Sequence, residues 1–364
     1  MISDKKPAVV GRLLRRIRLS KTGSAKDVWL VSIGTDGKLA YESGDWLMVS
    51  PQNPPDQVGR LAKLLKNADF DRLSRDFTIL SVHRPLAQWI FENAAREESH
   101  GQLSDWLKGD FCALTRGYVV ADILERFANV PVPAEALEVN LKPLKPRLYS
   151  IASAPEVDPN TIELVVASAF YAGPDGKYHE GAASSFLNKY LPIGGEMHIQ
   201  VAKTHFKLPN DPRTDVIFVG PGTGIAPFRG FLQQRDFLIK SGDQLGRSWL
   251  FFGDQHRAMD YIFEDELAAY QKSGALTRLD LAFSRDQDHK IYVQDRIWEN
   301  REEIWKWVSG GTYIYVCGTA NPMAKDVLEA FAKIARVCGN LSEEAAKDYV
   351  QIMQKSRRYL QDVY

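Results

Sequence analysis

Three glycines at alternating positions, Gly220, Gly222 and Gly224, stand in the run Val219-Gly-Pro-Gly-Thr-Gly-Ile-Ala-Pro227, between an apolar segment and an amphipathic one. Such spacing lets a chain turn tightly and aim a helix N-terminus at a diphosphate. The run is not the GxGxxG dinucleotide fingerprint, and it is not a P-loop, because no Gly-Lys-Ser/Thr follows. A tight strand-to-helix turn with no ligand is the alternative. Ser284-Arg285, with Lys290 and Tyr292, follows the apolar LDLAF. Two cations and a hydroxyl there would suit the extra 2′-phosphate of NADP(H), and the tyrosine could stack on adenine; a solvated polar loop reads equally well. Arg147 lies two residues before Tyr149, so on a strand both share one face, with Ser150 following. The guanidinium suits a pyrophosphate and the phenol a flat ring, or the pair is an ordinary strand with one exposed arginine. Gly181-Ala182-Ala183-Ser184 precedes FLNKYL and reads either as a phosphate-approachable turn or as a capped helix. Cys317-Gly318 ends an apolar run, where a thiol could face a nicotinamide or simply be buried. The last residues, Arg358 to Tyr364, place an aromatic beside Asp362; by themselves they read as a frayed end.

The elements that must position these residues change character along the chain. From 8 to 50, VWLVSI and YESGDWLMVS read as strands around the turn signal TDGK. From about Gly59 to Val139, RLAKLLKNADF, LAQWIFENAAREE, LSDWLKGDF and VVADILERFANV carry apolar residues at helical spacing. Strands return with RLYSIAS, IELVVASAFY and EMHIQVAK. In the last third DVIFVG, SWLFFG, RLDLAFS and TYIYVCG alternate with helical segments, among them YIFEDELAAYQKSG from Tyr261, the pattern of a parallel doubly wound sheet. In such a sheet ligands bind outside the carboxyl ends of the strands, where the glycine run, Ser284 and Cys317 all fall.

Composition narrows the function classes. The 364 residues carry 46 Lys+Arg against 46 Asp+Glu, which argues against general nucleic-acid or membrane-surface binding. No stretch approaches the ~20 apolar residues of a membrane span, and the N-terminal MISDKKPAVVGRLLRRIRL has no apolar run of signal-peptide length. Cys112, Cys317 and Cys338 form neither a metal-ligand spacing nor a disulfide framework, so no metal site and a cytoplasmic setting are expected.

Taken in order, RLYSIAS, GPGTGIAPFRGFLQQR, WLFFGDQH, SRDQ, KIYVQD, YIYVCG, ANPMAKDV and RRYLQDVY resemble the ferredoxin-NADP+ reductase family, its diflavin branch, and within that branch the flavoprotein component of NADPH-dependent sulfite reductase. The resemblance runs from about Lys21 to Tyr364. It implies an FAD-binding antiparallel β-barrel from 1–58 and 141–210, a helical connecting insertion at 59–140, and an NADP(H)-binding α/β domain at 211–364. Arg147, Tyr149 and Ser150 would hold FAD, with Ser150 near flavin N5. Val165, Val166, Ala167 and Tyr171 would line the flavin and adenine side, and Gly181, Ala182, Ala183 and Ser184 would meet the FAD pyrophosphate. Thr223 would contact the NADPH diphosphate. Ser284, Arg285, Lys290, Tyr292 and Gln294, with Asp326 nearby, would take the 2′-phosphate end. Cys317 would approach nicotinamide C4, and Tyr364 would stack on the isoalloxazine with Asp362 beside it. The implied activity is NADPH-dependent reduction of FAD, followed by electron delivery to a protein acceptor: a sirohaem sulfite reductase subunit, a flavodoxin or a ferredoxin. A flavin-binding redox sensor is the alternative from another class. Two positions depart from the family pattern: Thr319 replaces an acid and Pro322 an arginine, both on the nicotinamide side. The flavodoxin-like FMN domain of diflavin reductases is not expected in this chain, so a separate carrier, or an acceptor that takes electrons directly from FAD, is.

Overall fold

The computed structural model describes residues 8–65, 67–94, 99–173, 176 and 178–364; the start of the N-terminal segment read above lies outside them. The chain opens with β1 (Val9–Arg18) and β2 (Val28–Gly34), paired antiparallel with a register shift between Leu13 and Arg15. Strand β3 (Trp46–Val49) is followed by seven helices: α1 (Pro55–Leu64), α2 (Phe70–Arg75), α3 (Arg84–Asn93), α4 (Ser99–Lys108), α5 (Phe111–Leu114), α6 (Val120–Arg126) and α7 (Ala134–Asn140). Their starts are written in the sequence. Asp69 and Asp110 accept backbone N–H groups at the heads of α2 and α5, and α1 and α3 carry proline in the first turn. Leu61, Leu86, Ile90, Leu103 and Ile123 close a common core among these helices.

Strands β4 (Arg147–Ser150), β5 (Thr161–Ala167), β6 (Phe170–Ala172) and β7 (Tyr178–Glu180) follow, then the short helix α8 (Ala182–Ser185), which continues as a wider turn to Tyr190, and β8 (Glu196–Ala202). The first sheet has the order β4-β3-β8-β1-β2-β5, and β2 pairs antiparallel with β5 from Val28–Ala167 to Gly34–Thr161.

The rest alternates as the sequence indicates: β9 (Val216–Val219), α9 (Ala226–Lys240), β10 (Ser248–Asp254), α10 (Arg257–Asp260), α11 (Glu264–Ser273), β11 (Arg278–Phe283), α12 (Val293–Glu299), α13 (Arg301–Ser309), β12 (Tyr313–Gly318), α14 (Lys325–Cys338), α15 (Glu343–Lys355) and β13 (Tyr359–Val363). These strands form a five-stranded parallel sheet of order β11-β10-β9-β12-β13. Both faces are covered. Phe218, Leu250, Phe252 and Tyr315 pack on one side and Ile217, Trp249, Phe251 and Val316 on the other, which is why these strands read as continuous apolar runs. The chain moves outward from β9 through β10 to β11, then returns to β12 on the opposite side of β9. The carboxyl ends of β9 and β12 therefore flank the crevice where such sheets bind ligands.

Three expectations need correction. YESGDWLMVS is extended only from Trp46: Gly44 takes φ +87°, and Asp45 turns its fully buried carboxylate to Lys203, Lys207 and the Thr204 N–H instead of continuing a strand. Helix α11 begins at Glu264 rather than at Tyr261, because Phe263 adopts a left-handed φ of +61°. Residues 359–363 do not fray; they form β13, held along the whole of β12 from Ile314–Tyr359 to Gly318–Val363.

The chain forms two compact units. One contains Leu148–Ala167 and Ile199–Tyr364 with the segment that ends at Leu47; the other contains Met48–Arg147 and Ser168–His198.

Candidate active site

Each glycine after β9 answers a different steric demand. A Cβ on Gly220 would lie 2.5 Å from the Phe228 ring and 2.6 Å from the Gly224 carbonyl oxygen. A Cβ on Gly224 would lie 2.1 Å from the Cys317 carbonyl oxygen, so only glycine lets this turn close on β12. Gly222 takes φ +58°. Residues 222–225 form a tight helical turn that leads into α9, with Gly224 and Ile225 buried. Beside it the Lys26 ammonium reaches the Asp254 carboxylate at 2.5 Å, and Lys26 Nζ lies 3.6 Å from where a Gly222 Cβ would stand. Burial pushes Asp254 above its ordinary carboxylate value, against the pull of Lys26.

The parallel register of β12 and β13 sets Cys317 beside Asp362. Asp362, only 6% exposed, gathers three donors. Ser150 Oγ donates to Oδ2 at 2.6 Å, the Cys317 thiol to the same oxygen at 3.8 Å, and the Trp46 indole N–H to Oδ1 at 3.0 Å. Cys317 is fully buried. Desolvation first, and the Asp362 charge second, push its thiol well above the ordinary range, so it stays protonated at neutral pH. Tyr364 follows directly. Its N–H donates to the Gly318 carbonyl, its carbonyl accepts from Ala320 N–H, and its phenol shares a 2.6 Å hydrogen bond with the Thr223 hydroxyl. Tyr364 is 59% exposed as a whole residue.

At the end of β11, Ser284 N–H and Oγ both donate to the Asp254 carbonyl, and Arg285 N–H donates to the Gln255 carbonyl. The Arg285 guanidinium and Lys290 ammonium are exposed and make no ion pair or side-chain hydrogen bond among the described residues. Tyr292 exposes its ring while its N–H is capped by Asp295, and Gln294 bonds Asp326 at 3.3 Å. The stretch after β11 thus offers two exposed cations, unpaired among the described residues, and an exposed aromatic side chain.

In the same unit Val165 and Val166 are buried and paired with β2, and only Ala167 is exposed. In the other unit, Arg147 is exposed and its guanidinium is unpaired among the described residues. Tyr171 donates its hydroxyl to the Leu80 carbonyl, and burial lifts that phenol to about 12. Gly181 donates its N–H to the Ala169 carbonyl, while Ser184 Oγ accepts from Ala169 N–H, which orders the small-residue turn at the head of α8. The sequence reading thus anticipated Ser150, Cys317, Asp362, Thr223 and Tyr364, which the fold brings together. It missed Lys26, Asp254 and Trp46. The only written signal for Trp46 is a large donor after Gly44-Asp45, and nothing in the sequence ties it to a residue 316 positions away.

Comparison with known proteins agrees with this arrangement. The FAD binding domain family matches residues 73–186, and the oxidoreductase NAD-binding domain family matches residues 218–329. The sulfite reductase [NADPH] flavoprotein alpha-component of Escherichia coli O157:H7 is 38% identical over 99% of this chain and 61% of its own length. Its counterpart from Escherichia coli O1:K1 / APEC is 39% identical over 95% of this chain and 59% of its own. The chain spans about three fifths of the length of these relatives. The chain thus carries an FAD binding domain match followed by an oxidoreductase NAD-binding domain match, and it is similar along nearly its full length to the sulfite reductase [NADPH] flavoprotein alpha-components.

Proposed function

We propose that this chain is an NADPH-oxidising FAD reductase that delivers electrons to a separate protein acceptor, with a sirohaem sulfite reductase subunit as the first candidate. The reading is carried by one observation: Ser150 and Cys317, from distant segments, converge on the buried Asp362 carboxylate beside the carboxyl end of β12. When bound, FAD supplies a hydride acceptor and NADPH the hydride. The protein's part is position and electrostatics. Ser150 spends its proton on Asp362, so its oxygen lone pairs remain free to accept a hydrogen bond from a ring nitrogen. Cys317 keeps its proton and presents a small neutral surface where a nicotinamide would lie. Arg285, Lys290 and Ser284 would hold the 2′-phosphate, with Tyr292 on the adenine and Gln294 and Asp326 beside it. Thr223, with Lys26 close to Gly222, would hold the diphosphate. Tyr364 would cover the reactive face and yield it to nicotinamide.

In the same reading the antiparallel strands form the FAD barrel, with Arg147, Tyr149 and Ser150 at the cofactor and Gly181 to Ser184 at its pyrophosphate. The bounds proposed for it are 1–58 and 141–210, with 59–140 as the connecting insertion and 211–364 as the NADP(H) domain. Among the described residues no helix is long and apolar enough to cross a membrane, which suits the proposed cytoplasmic setting. The relatives are named for sulfite reductase, which supports taking a sirohaem sulfite reductase subunit as the first candidate, ahead of flavodoxin or ferredoxin.

The test is anaerobic mixing of FAD-loaded protein with NADPH. Rapid loss of the visible flavin absorbance supports the reductase, and persistent colour removes it. Addition of a sirohaem subunit, a flavodoxin or a ferredoxin to the reduced protein then identifies the acceptor by which one reoxidises the flavin.

A further inference from the structure

Trp46 opens β3 one residue after a strongly constrained turn. Gly44 has no room for a side chain, since a Cβ there would lie 1.9 Å from the Phe206 carbonyl oxygen. Asp45 is fully buried and holds the ammonium groups of Lys203 and Lys207 at 3.0 and 2.6 Å. The Asp45 carbonyl accepts the N–H of Ile151, the residue after Ser150. The dipeptide 45–46 therefore fixes the strand that carries Ser150 through its backbone, and reaches Asp362 through the Trp46 side chain.

We propose that Trp46 is a positioning residue of the Asp362 centre: its indole N–H holds Oδ1, so that Oδ2 alone is presented to Ser150 and Cys317. The proposal rests on reading that centre as the hydride-transfer site. A carboxylate rotates in a broad two-fold well about its last torsion, so its two oxygens are interchangeable unless something distinguishes them. Indole is a donor only and does not titrate near neutral pH, so its bond to Oδ1 persists whatever ring lies beside Ser150 and Cys317. With that bond lost, the hydroxyl and the thiol can distribute over both oxygens, and the Ser150 oxygen is no longer held in one place.

The experiment uses the FAD-loaded chain and three variants, Trp46→Phe, Asp362→Asn and the double variant. We expect Trp46→Phe to lower the limiting rate of flavin reduction by NADPH about tenfold, the size of one lost hydrogen bond to a charged group. Half-saturation by NADPH should move less than about twofold. In the Asp362→Asn background the same substitution should change the limiting rate by less than about twofold, because Trp46 acts through that carboxylate. A second readout needs no cofactor. In the apo chain labelled with indole nitrogen-15, the Trp46 signal, identified by its loss in Trp46→Phe, should shift and exchange faster with solvent in Asp362→Asn. An unchanged limiting rate, an equal factor in both backgrounds, or an indole signal indifferent to Asp362→Asn overturns the proposal. If the unaltered protein is not bleached by NADPH, it is the hydride-transfer reading that fails, and the indole signal still decides whether Trp46 positions Asp362.

Discussion

Cys317 and Asp362 form one buried pair in which the thiol donates and the carboxylate accepts. The thiol's pKa is raised by desolvation and by the neighbouring carboxylate, so the reactive thiolate fraction at neutral pH is far below that of an ordinary cysteine near 8.5. A thiol-alkylating reagent at mildly alkaline pH should therefore label the exposed Cys112 quickly and leave Cys317 untouched until the protein is unfolded. Mass-spectrometric mapping reads this directly, and native labelling of Cys317 at the rate of Cys112 would contradict the burial argument. Asp362 has the opposite task, because it must accept from Ser150 and Cys317 at once. Replacement by asparagine puts an N–H₂ group or a weaker acceptor at that point. We expect flavin reduction to slow on the order of a hundredfold, with FAD content retained. Stopped-flow rates together with the flavin-to-protein ratio check this, and a rate within about twofold of the unaltered protein would remove Asp362 from the reaction.

At the scale of elements, what was legible in the sequence is what local rules decide. Alternating apolar and amphipathic segments announce the parallel sheet, and the glycine run announces a turn whose tightness is a backbone property. The strand at 359–363 and the break at Gly44-Asp45 were not legible. Each owes its shape to partners far along the chain, β12 for the first and Lys203 and Lys207 for the second. The Asp362 cluster lies between these cases: Ser150 and Cys317 stand out as motif residues, whereas Trp46 is just one more aromatic in a strand until the fold delivers it. The glycines offer a contrast in which sequence alone gives no ranking. Gly224→Ala should destabilise by about 1–3 kcal/mol, because its Cβ would enter the Cys317 carbonyl and force the turn away from β12. The same change should weaken NADP+ binding. Gly59→Ala, inside α1 with open space around the position, should stabilise by about 0.5–1 kcal/mol. Melting curves of the two variants, with NADP+ titrations, test both signs; stabilisation by Gly224→Ala would mean that the turn has slack the geometry denies.

At the scale of the molecule, a buried arginine ties the antiparallel strands of the first unit to the helices that cover its parallel sheet. Arg229 on α9 donates to the Ala152 carbonyl, to Glu163 on β5 at 2.7 Å and to Glu266 on α11 at 2.7 Å. Glu163, only 8% exposed, also accepts from Ser32 on β2 and Arg15 on β1. The network ties β1, β2 and β5, and the Ala152 carbonyl two residues after Ser150, to α9, the helix that leads out of the Thr223 turn. Burial alone would raise the Glu163 pKa; the Arg229 guanidinium, with help from Ser32 and Arg15, outweighs it and holds the carboxylate below its ordinary value. A depressed folded pKa contributes stability that is fully present above the unfolded value, about 4.3, and is lost as pH falls through the lower folded value. Glu163→Gln removes that linkage. At pH 7 it should lower stability by about 1–3 kcal/mol, because Arg229 keeps Glu266 but loses its charged partner on β5. As pH drops below about 4.3 the unaltered protein loses this advantage. The gap between the two melting temperatures should therefore close on the acid side and stay constant between neutral pH and mildly acidic conditions. Other carboxylates titrate in both proteins and cancel in the difference, which leaves the gap as a measure of Glu163 itself. A gap that is the same at every pH would mean that Arg229 is held by shape rather than by charge.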